Sequence, residues 1–412
     1  MVRIFSIILF AVSSIFAISG TALFAQGGSN YSAYGIGDIN RSGGAAYDGL
    51  AGTSLAFPNN TSINLNNPAL WSKVDKTRLK VGYRFNQNYI NSENTELFQN
   101  NGWLSGVGSV MSIDTSMGIS AGFGIFPFSN VNYLISTPIS VEVEGVVQNG
   151  TTTYQGSGGL TMAMIGGSVE PLEGLALGAI GFVNFGKIKN SVETEFYDSF
   201  VFNYEVDSEN FFLGYGFKAG AFYEITSGLS MGGYYELQPE MDLSSNTIYH
   251  SDIAADTTVS TESLVTLPNA FGLGLSYASG KFIFGADAEF QDFSGFEFRR
   301  GSETEFGNSL RYSIGIERVG NSRARDFLDS WGYRFGLGYK QHYYNVRGNE
   351  INEIFGSLGF EIPVPETSVI DAAITLGYRG TENSGLVREY FGRLSVDISI
   401  GDTWFKPFRR QY

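Results

Sequence analysis

The chain has 412 residues, of which only 16% are charged while 15% are aromatic. Its formal net charge is -15, which leaves no basic footprint for nucleic acid. It has no cysteine and so is no disulfide scaffold. After residue 25 no apolar run approaches the roughly 20 residues that a spanning helix needs.

Residues 1–25 read as a secretory signal. Arg3 supplies the charged start, Ile4 to Ile18 the apolar stretch, and Ala22 and Ala25 two candidate cleavage points. The competing reading, an anchor helix, meets the objection that the apolar run is short. Residues 26–76 form a distinct region, rich in Gly, Asn and Ser and without sustained alternation. Tyr31, Tyr34, Tyr47, Phe57 and Trp71 argue that it packs, because disordered tails carry few aromatics. Asn67-Pro68-Ala69 reads as a turn, since proline fixes φ and biases the residue before it toward extended geometry.

From Thr77 onward, apolar residues alternate with polar or small ones at a period of two, the mark of β-strands. The pattern predicts strands over 77–88, 103–113, 117–126, 157–169, 174–188, 209–225, 228–240, 264–278, 281–293, 307–319, 331–344, 351–362, 369–380 and 388–400. The clearest stretch is a hairpin. Phe271, Leu273, Leu275 and Tyr277 share a face opposite Gly272, Gly274 and Ser276, Ser279-Gly280 turns the chain, and Phe282, Phe284, Ala286, Ala288 and Phe290 return opposite Asp287 and Glu289. One face is greasy and the other carries glycine and carboxylates. In a soluble sandwich the greasy face would meet a second sheet, and in an outer-membrane barrel it would meet lipid.

An even count of about 14 strands, short turns alternating with longer connections, and aromatics near strand ends favour the barrel. The connections at 127–156, 189–208, 241–263 and 294–306 read as long polar loops, and 320–330 as a connection that holds a small helix. The expectation is an all-β fold: a closed antiparallel transmembrane barrel over 77–412, with residues 26–76 as a hatch or plug after a signal at 1–25. Arg84, Lys218, Asp287, Arg334 and His342 are candidate lumen-lining residues.

These features together resemble the FadL/TodX group of outer-membrane transporters of hydrophobic compounds. The likeness rests on Asn67-Pro68-Ala69 just before the first strand, Leu267-Pro268 opening FGLGLSY, the following ADAEFQDFSGF, and YRFGLGYK at 333–340. The opening YSAYGIGDI and the ending EYFGRLSVDISIGDTWFKPFRRQY resemble the group's versions from gliding and gut-type bacteria. No one motif is diagnostic, and their order along the chain is the stronger signal. One departure is that the last strand ends near Ile400, with Trp404-Phe405 and a basic tail beyond it.

The resemblance implies a fourteen-stranded barrel closed by an N-terminal hatch, with a kinked third strand that opens the wall. It places Asn67, Pro68 and Ala69 on a substrate path at the hatch. It makes Gly122, Phe123, Gly124, Ile125, Phe126, Pro127 and Phe128 candidates for the lateral opening. The competing reading is that Pro127 merely ends the third strand, since proline cannot donate a ladder hydrogen bond.

Catalysis finds little support. The two histidines, His250 and His342, stand far apart in sequence, and without cysteine a zinc site lacks ligands. Asp242, Asp252, Asp256 and Glu262 could meet calcium but lack a recognised spacing. The chain is therefore expected not to be an enzyme and to need no cofactor or metal. The leading expectation is passive uptake across the outer membrane of a hydrophobic small molecule, such as a long-chain fatty acid or hydrocarbon, by a monomer whose other partner is outer-membrane lipid. The alternative is a non-transporting barrel that docks secreted or surface proteins.

Overall fold

The computed structural model describes residues 28–404 apart from 42, 93–94, 144, 198–201, 239, 300, 302, 322–323, 325 and 365–366. The signal reading of 1–25 and the tail after Trp404 lie outside the described residues. One two-residue strand, β1 (Asp38–Ile39), and one helical turn, α1 (Ala45–Asp48), belong to the N-terminal region. The wall follows as β2 (Thr77–Ser92), β3 (Thr95–Asp114), β4 (Ile119–Pro127), β5 (Ser129–Val143), β6 (Val146–Leu172), β7 (Leu175–Phe196), β8 (Tyr204–Thr226), β9 (Leu229–Leu237) and β10 (Glu240–Ser251). It continues as β11 (Ala254–Thr266), β12 (Ala270–Ser279), β13 (Phe282–Asp292), β14 (Thr304–Phe306), β15 (Asn308–Arg318), β16 (Gly332–Val346), β17 (Asn349–Pro363), β18 (Val369–Gly380) and β19 (Arg388–Asp402).

β4 with β5, β9 with β10, β11 with β12, and β14 with β15 each share one position in the wall, which leaves fourteen positions. Every pairing is antiparallel. β19 pairs with β2 along its whole length, from Arg388 opposite Asn91 to Asp402 opposite Thr77, and this closes the barrel. Closure removes the sheet edges, whose free N–H and C=O groups lipid cannot satisfy.

The period-two pattern sorts side chains across the wall. Leu273, Leu275, Ile314, Leu337 and Ile374 stand exposed on the outer face, while Lys80, Arg84, Asp287, Arg334 and Asp397 are buried inside. Exposed apolar surface on this scale fits a wall that faces lipid.

The end with the short turns also holds the start of β2 and the end of β19. The other end is uneven. β6 runs for 27 residues, far beyond the 9–11 that a tilted strand needs to cross a bilayer. β5, β6, β7, β8, β10 and β11 together make a six-stranded sheet that stands above the rest of the rim. This corrects the sequence reading of 127–156, 189–208 and 241–263 as loops. They are mostly strand, and their alternation was hidden because much of the upper sheet is exposed, while the apolar residues lower down, such as Val131, Tyr133 and Leu243, pack inward. The 294–306 connection is a true loop that ends in β14, and a short 3-10 turn occupies Leu328–Ser330 in the 320–330 connection.

A charge on the outer face has no partner in lipid. Leu275→Arg should therefore cost about 2–4 kcal/mol of folding free energy in vesicles. Thr258→Arg, on the exposed upper part of β11, should cost under about 0.5 kcal/mol. Reversible urea titrations of the two variants check this.

Candidate functional site

Residues 28–76 run through the barrel interior. Tyr31, Tyr47, Phe57 and Trp71 are buried there, and Tyr34 is partly buried. The region is fixed to the wall by charge. Asp397 on β19 accepts from the Ala45 amide at 2.8 Å and pairs with Lys80 at 3.2 Å, whose ammonium also donates to the Gly43 carbonyl at 2.7 Å. Arg84 pairs with Asp48 and donates to Asn40 Oδ1 at 2.9 Å. Asp287 accepts from the amides of Ser54 and Leu55 at 2.6 and 2.9 Å. Arg311 donates to the Ala51 carbonyl at 2.9 Å.

Nearer the tall rim, Arg379 donates to Asp38 and Ser29, both at 2.9 Å, and Glu389 accepts from the Asn30 amide at 2.7 Å. Burial pushes the Asp38 carboxyl up, but the Arg379 guanidinium overrides this and holds it below its ordinary value. Removing one partner of a fully buried pair such as Lys80–Asp397 typically costs about 3–5 kcal/mol, because the other charge is left uncompensated.

Inward glycines let the segment's backbone lie directly on the wall. A Cβ on Gly336 would come within 2.2 Å of the Leu50 carbonyl carbon, and one on Gly178 within 2.4 Å of that of Pro68. No side chain fits at such distances. Asn67 caps the turn Pro68–Lys73 by accepting from the Ala69 amide at 3.1 Å, and it donates to the Leu55 and Ala221 carbonyls. Asn67, Pro68 and Ala69 are thus wedged against β7 and β8.

The wall is broken between Pro127 and Ser129. The β3–β4 ladder ends with Val107 opposite Ile125, and β5 pairs with β6 instead of β3. Proline removes one donor, and Gly158 and Gly159 of β6, both at positive φ, bend the strand beside the break. Across the gap, Gln99 on β3 donates to the Leu134 carbonyl on β5 at 3.1 Å. The N-terminal region takes the place of the missing ladder. The Asn40 amide donates to the Phe128 carbonyl at 2.8 Å, β1 pairs with Ser129 and Asn130, and the Gly28 amide donates to the Asn132 carbonyl at 2.9 Å. Next to this edge lies an aromatic cluster containing Phe128, Tyr133, Phe293, Phe296 and Tyr343, with Phe293 and Tyr343 stacked 4.2 Å apart.

Of the seven residues expected at an opening, the structure places Pro127 and Phe128 at the break. Gly122 lies in intact β4, where a Cβ would meet Trp71 at 3.0 Å, and Gly124 lies against the Phe126 ring. Phe123 and Ile125 point outward, and Phe126 is buried against Trp71. Among the lumen candidates, Arg84 and Asp287 hold the N-terminal region. Lys218 pairs with Glu236 at 2.7 Å, and Arg334 is held by Glu317, Glu361 and Asp371. His342 is buried and hydrogen-bonded to Glu353 and Tyr344, each at 3.1 Å. Asp242, Asp252, Asp256 and Glu262 are spread along the β10–β11 hairpin, and Asp256 pairs with His250 at 3.0 Å. Sequence reading missed Asp38, Arg41 and Asp48. Their signal was slight: lone charges in an aperiodic stretch that also carries buried aromatics.

The chain is thus a closed fourteen-position antiparallel barrel that holds its own N-terminal region. The family model described as BamG matches residues 1–412, and the chain belongs to the BamG family. The FadL/TodX resemblance therefore holds for the fold, while the family carries another name. The "CymD monoaromatic hydrocarbon channel" is 14% identical with a TM-score of 0.59, covering 90% of this chain and 100% of that one. The P. putida toluene transporter TodX is 14% identical with a TM-score of 0.59, covering 89% of this chain and 99% of that one. A Pseudomonas aeruginosa FadL homologue is 14% identical with a TM-score of 0.61, covering 88% and 98%. At these identities the likeness is one of fold. No curated protein sequence matches the chain.

Because Gly336 admits the chain at Leu50, Gly336→Leu should displace the N-terminal region while the wall still closes. In planar bilayers its single-channel conductance should exceed the wild-type value, and its heat-modifiable mobility on SDS gels should be retained.

Proposed function

We propose that the protein is an outer-membrane channel for passive uptake of a hydrophobic small molecule, with release sideways through the wall. The observation that carries this reading is the break after Pro127, where an aromatic cluster lies beside the one stretch of wall in which β3 and β5 do not pair. Short turns face the periplasm in such barrels, so the tall rim faces outward. A greasy solute would enter among the rim aromatics and leave between β3 and β5. Residues 28–40 fill that gap and would have to move. The fold neighbours described as a hydrocarbon channel and a toluene transporter support a hydrophobic solute.

One observation favours the docking alternative. The register of β11 is with β10 alone, and residues 255–264 are exposed on the other side. The strand carries no Pro, Lys or Arg, the residues that commonly blunt an edge. It could accept a strand from another protein.

One experiment separates the two. The chain has no cysteine, so Gln99→Cys with Leu134→Cys can be bridged by a short bismaleimide. Whole-cell uptake of labelled toluene and oleate should fall to the level of cells lacking the protein when the bridge forms, and stay normal in the unbridged double variant. Uptake unaffected by the bridge would rule out the sideways route. No uptake in either state or in the wild type would leave docking as the function.

A further inference from the structure

Between the N-terminal region and the wall lies a cavity of about 120 Å³. Its lining contains six cationic side chains, Arg41, Arg84, Arg311, Lys340, Arg379 and Arg393, and four carboxylates, Asp38, Asp48, Glu289 and Glu353. The four carboxylates are all engaged. Arg379 holds Asp38 and Glu353, Arg84 holds Asp48, and Arg311 holds Glu289. Arg41 reaches Glu236 at 3.8 Å, outside the lining.

Two cations are left over. Arg393 donates to Asn86 Oδ1 at 3.1 Å and has no carboxylate partner, and Lys340 has no ion pair among the described residues. A third donor belongs to another residue of the lining, Trp103, whose indole N–H is buried and has no acceptor among the described residues. The whole chain is strongly acidic, yet this lining carries two positive charges in excess. Buried charges are normally paired, and an orphaned donor calls for an acceptor that the protein does not supply.

We propose that this cavity binds a small oxyanion, a carboxylate or phosphate, through Lys340, Arg393 and the Trp103 indole N–H. The volume suits acetate, inorganic phosphate or the carboxylate end of an amphiphile whose chain extends out of the cavity. The anion would bridge β3, β16 and β19 beside the residues that hold Asp38 and Asp48, and so would help fix the N-terminal region. The proposal stands whether or not the barrel transports anything.

The test is isothermal titration calorimetry on the full-length protein in detergent, with inorganic phosphate, acetate and decanoate as separate probes at constant ionic strength. Wild type should bind phosphate or acetate saturably at one site. Lys340→Met and Arg393→Met should each weaken binding about tenfold, as expected for loss of a charge-assisted hydrogen bond. Trp103→Phe, which removes a donor and no charge, should weaken it about threefold, and it serves as the check if a charge variant misfolds. Decanoate binding that exceeds acetate binding and falls in the same variants would assign the site to an amphiphile headgroup, still an oxyanion. Absence of saturable binding by all three probes, or affinities unchanged in the variants, would overturn the proposal.

Discussion

The structure depends on one constraint: a sheet surrounded by lipid must satisfy every backbone donor and acceptor within itself. The β19–β2 pairing meets it by joining the last strand of the wall to the first, and once the sheet is closed the rest follows. Greasy side chains go outward, so charged ones collect in the lumen, where a low dielectric demands that they pair. The N-terminal region supplies partners for them. Lys80, Arg84, Asp287, Arg311, Arg379 and Asp397 each bond to it by a side-chain or backbone group. Most of the interior charges are thus paired, with Lys340 and Arg393 left over.

The break after Pro127 is the place where the wall departs from this rule, and residues 28–40 restore it there. Asn40, β1 and Gly28 bond to the β5 edge as a short surrogate strand. That stretch is held in turn by Arg379, and by Arg299, which donates to the Ala33 and Gly35 carbonyls. The contacts that fill the break are thus hydrogen bonds and an ion pair. The aromatic cluster and the charged cavity both adjoin this stretch.

Much of this was legible in the sequence. The alternation in FGLGLSY and YRFGLGYK gave both the strands and their faces, because a lipid-facing wall forces strict period two. The buried aromatics of 26–76 announced a packed region. Three things stayed hidden. The tall sheet of β5 to β11 is largely exposed in its upper part, so Thr- and Ser-rich stretches such as 254–263 looked like loop. The inward glycines were visible, but that Gly336 and Gly178 take backbone from Leu50 and Pro68 depends on contacts far apart in the chain. Gly122 and Gly124, small and near Pro127, suggested space, yet Trp71 and Phe126 fill it. Local composition could not reveal neighbours brought in from elsewhere.

The most direct test of the account is amide hydrogen exchange at Gly28 and Asn40, followed by mass spectrometry in detergent micelles. If the N-terminal region completes the broken wall, these amides should exchange as slowly as those of β18 and β19, and faster when a saturating hydrophobic solute such as toluene is added. Exchange as fast as that of the exposed β11 edge, with or without solute, would contradict the claim that residues 28–40 serve as the missing strand.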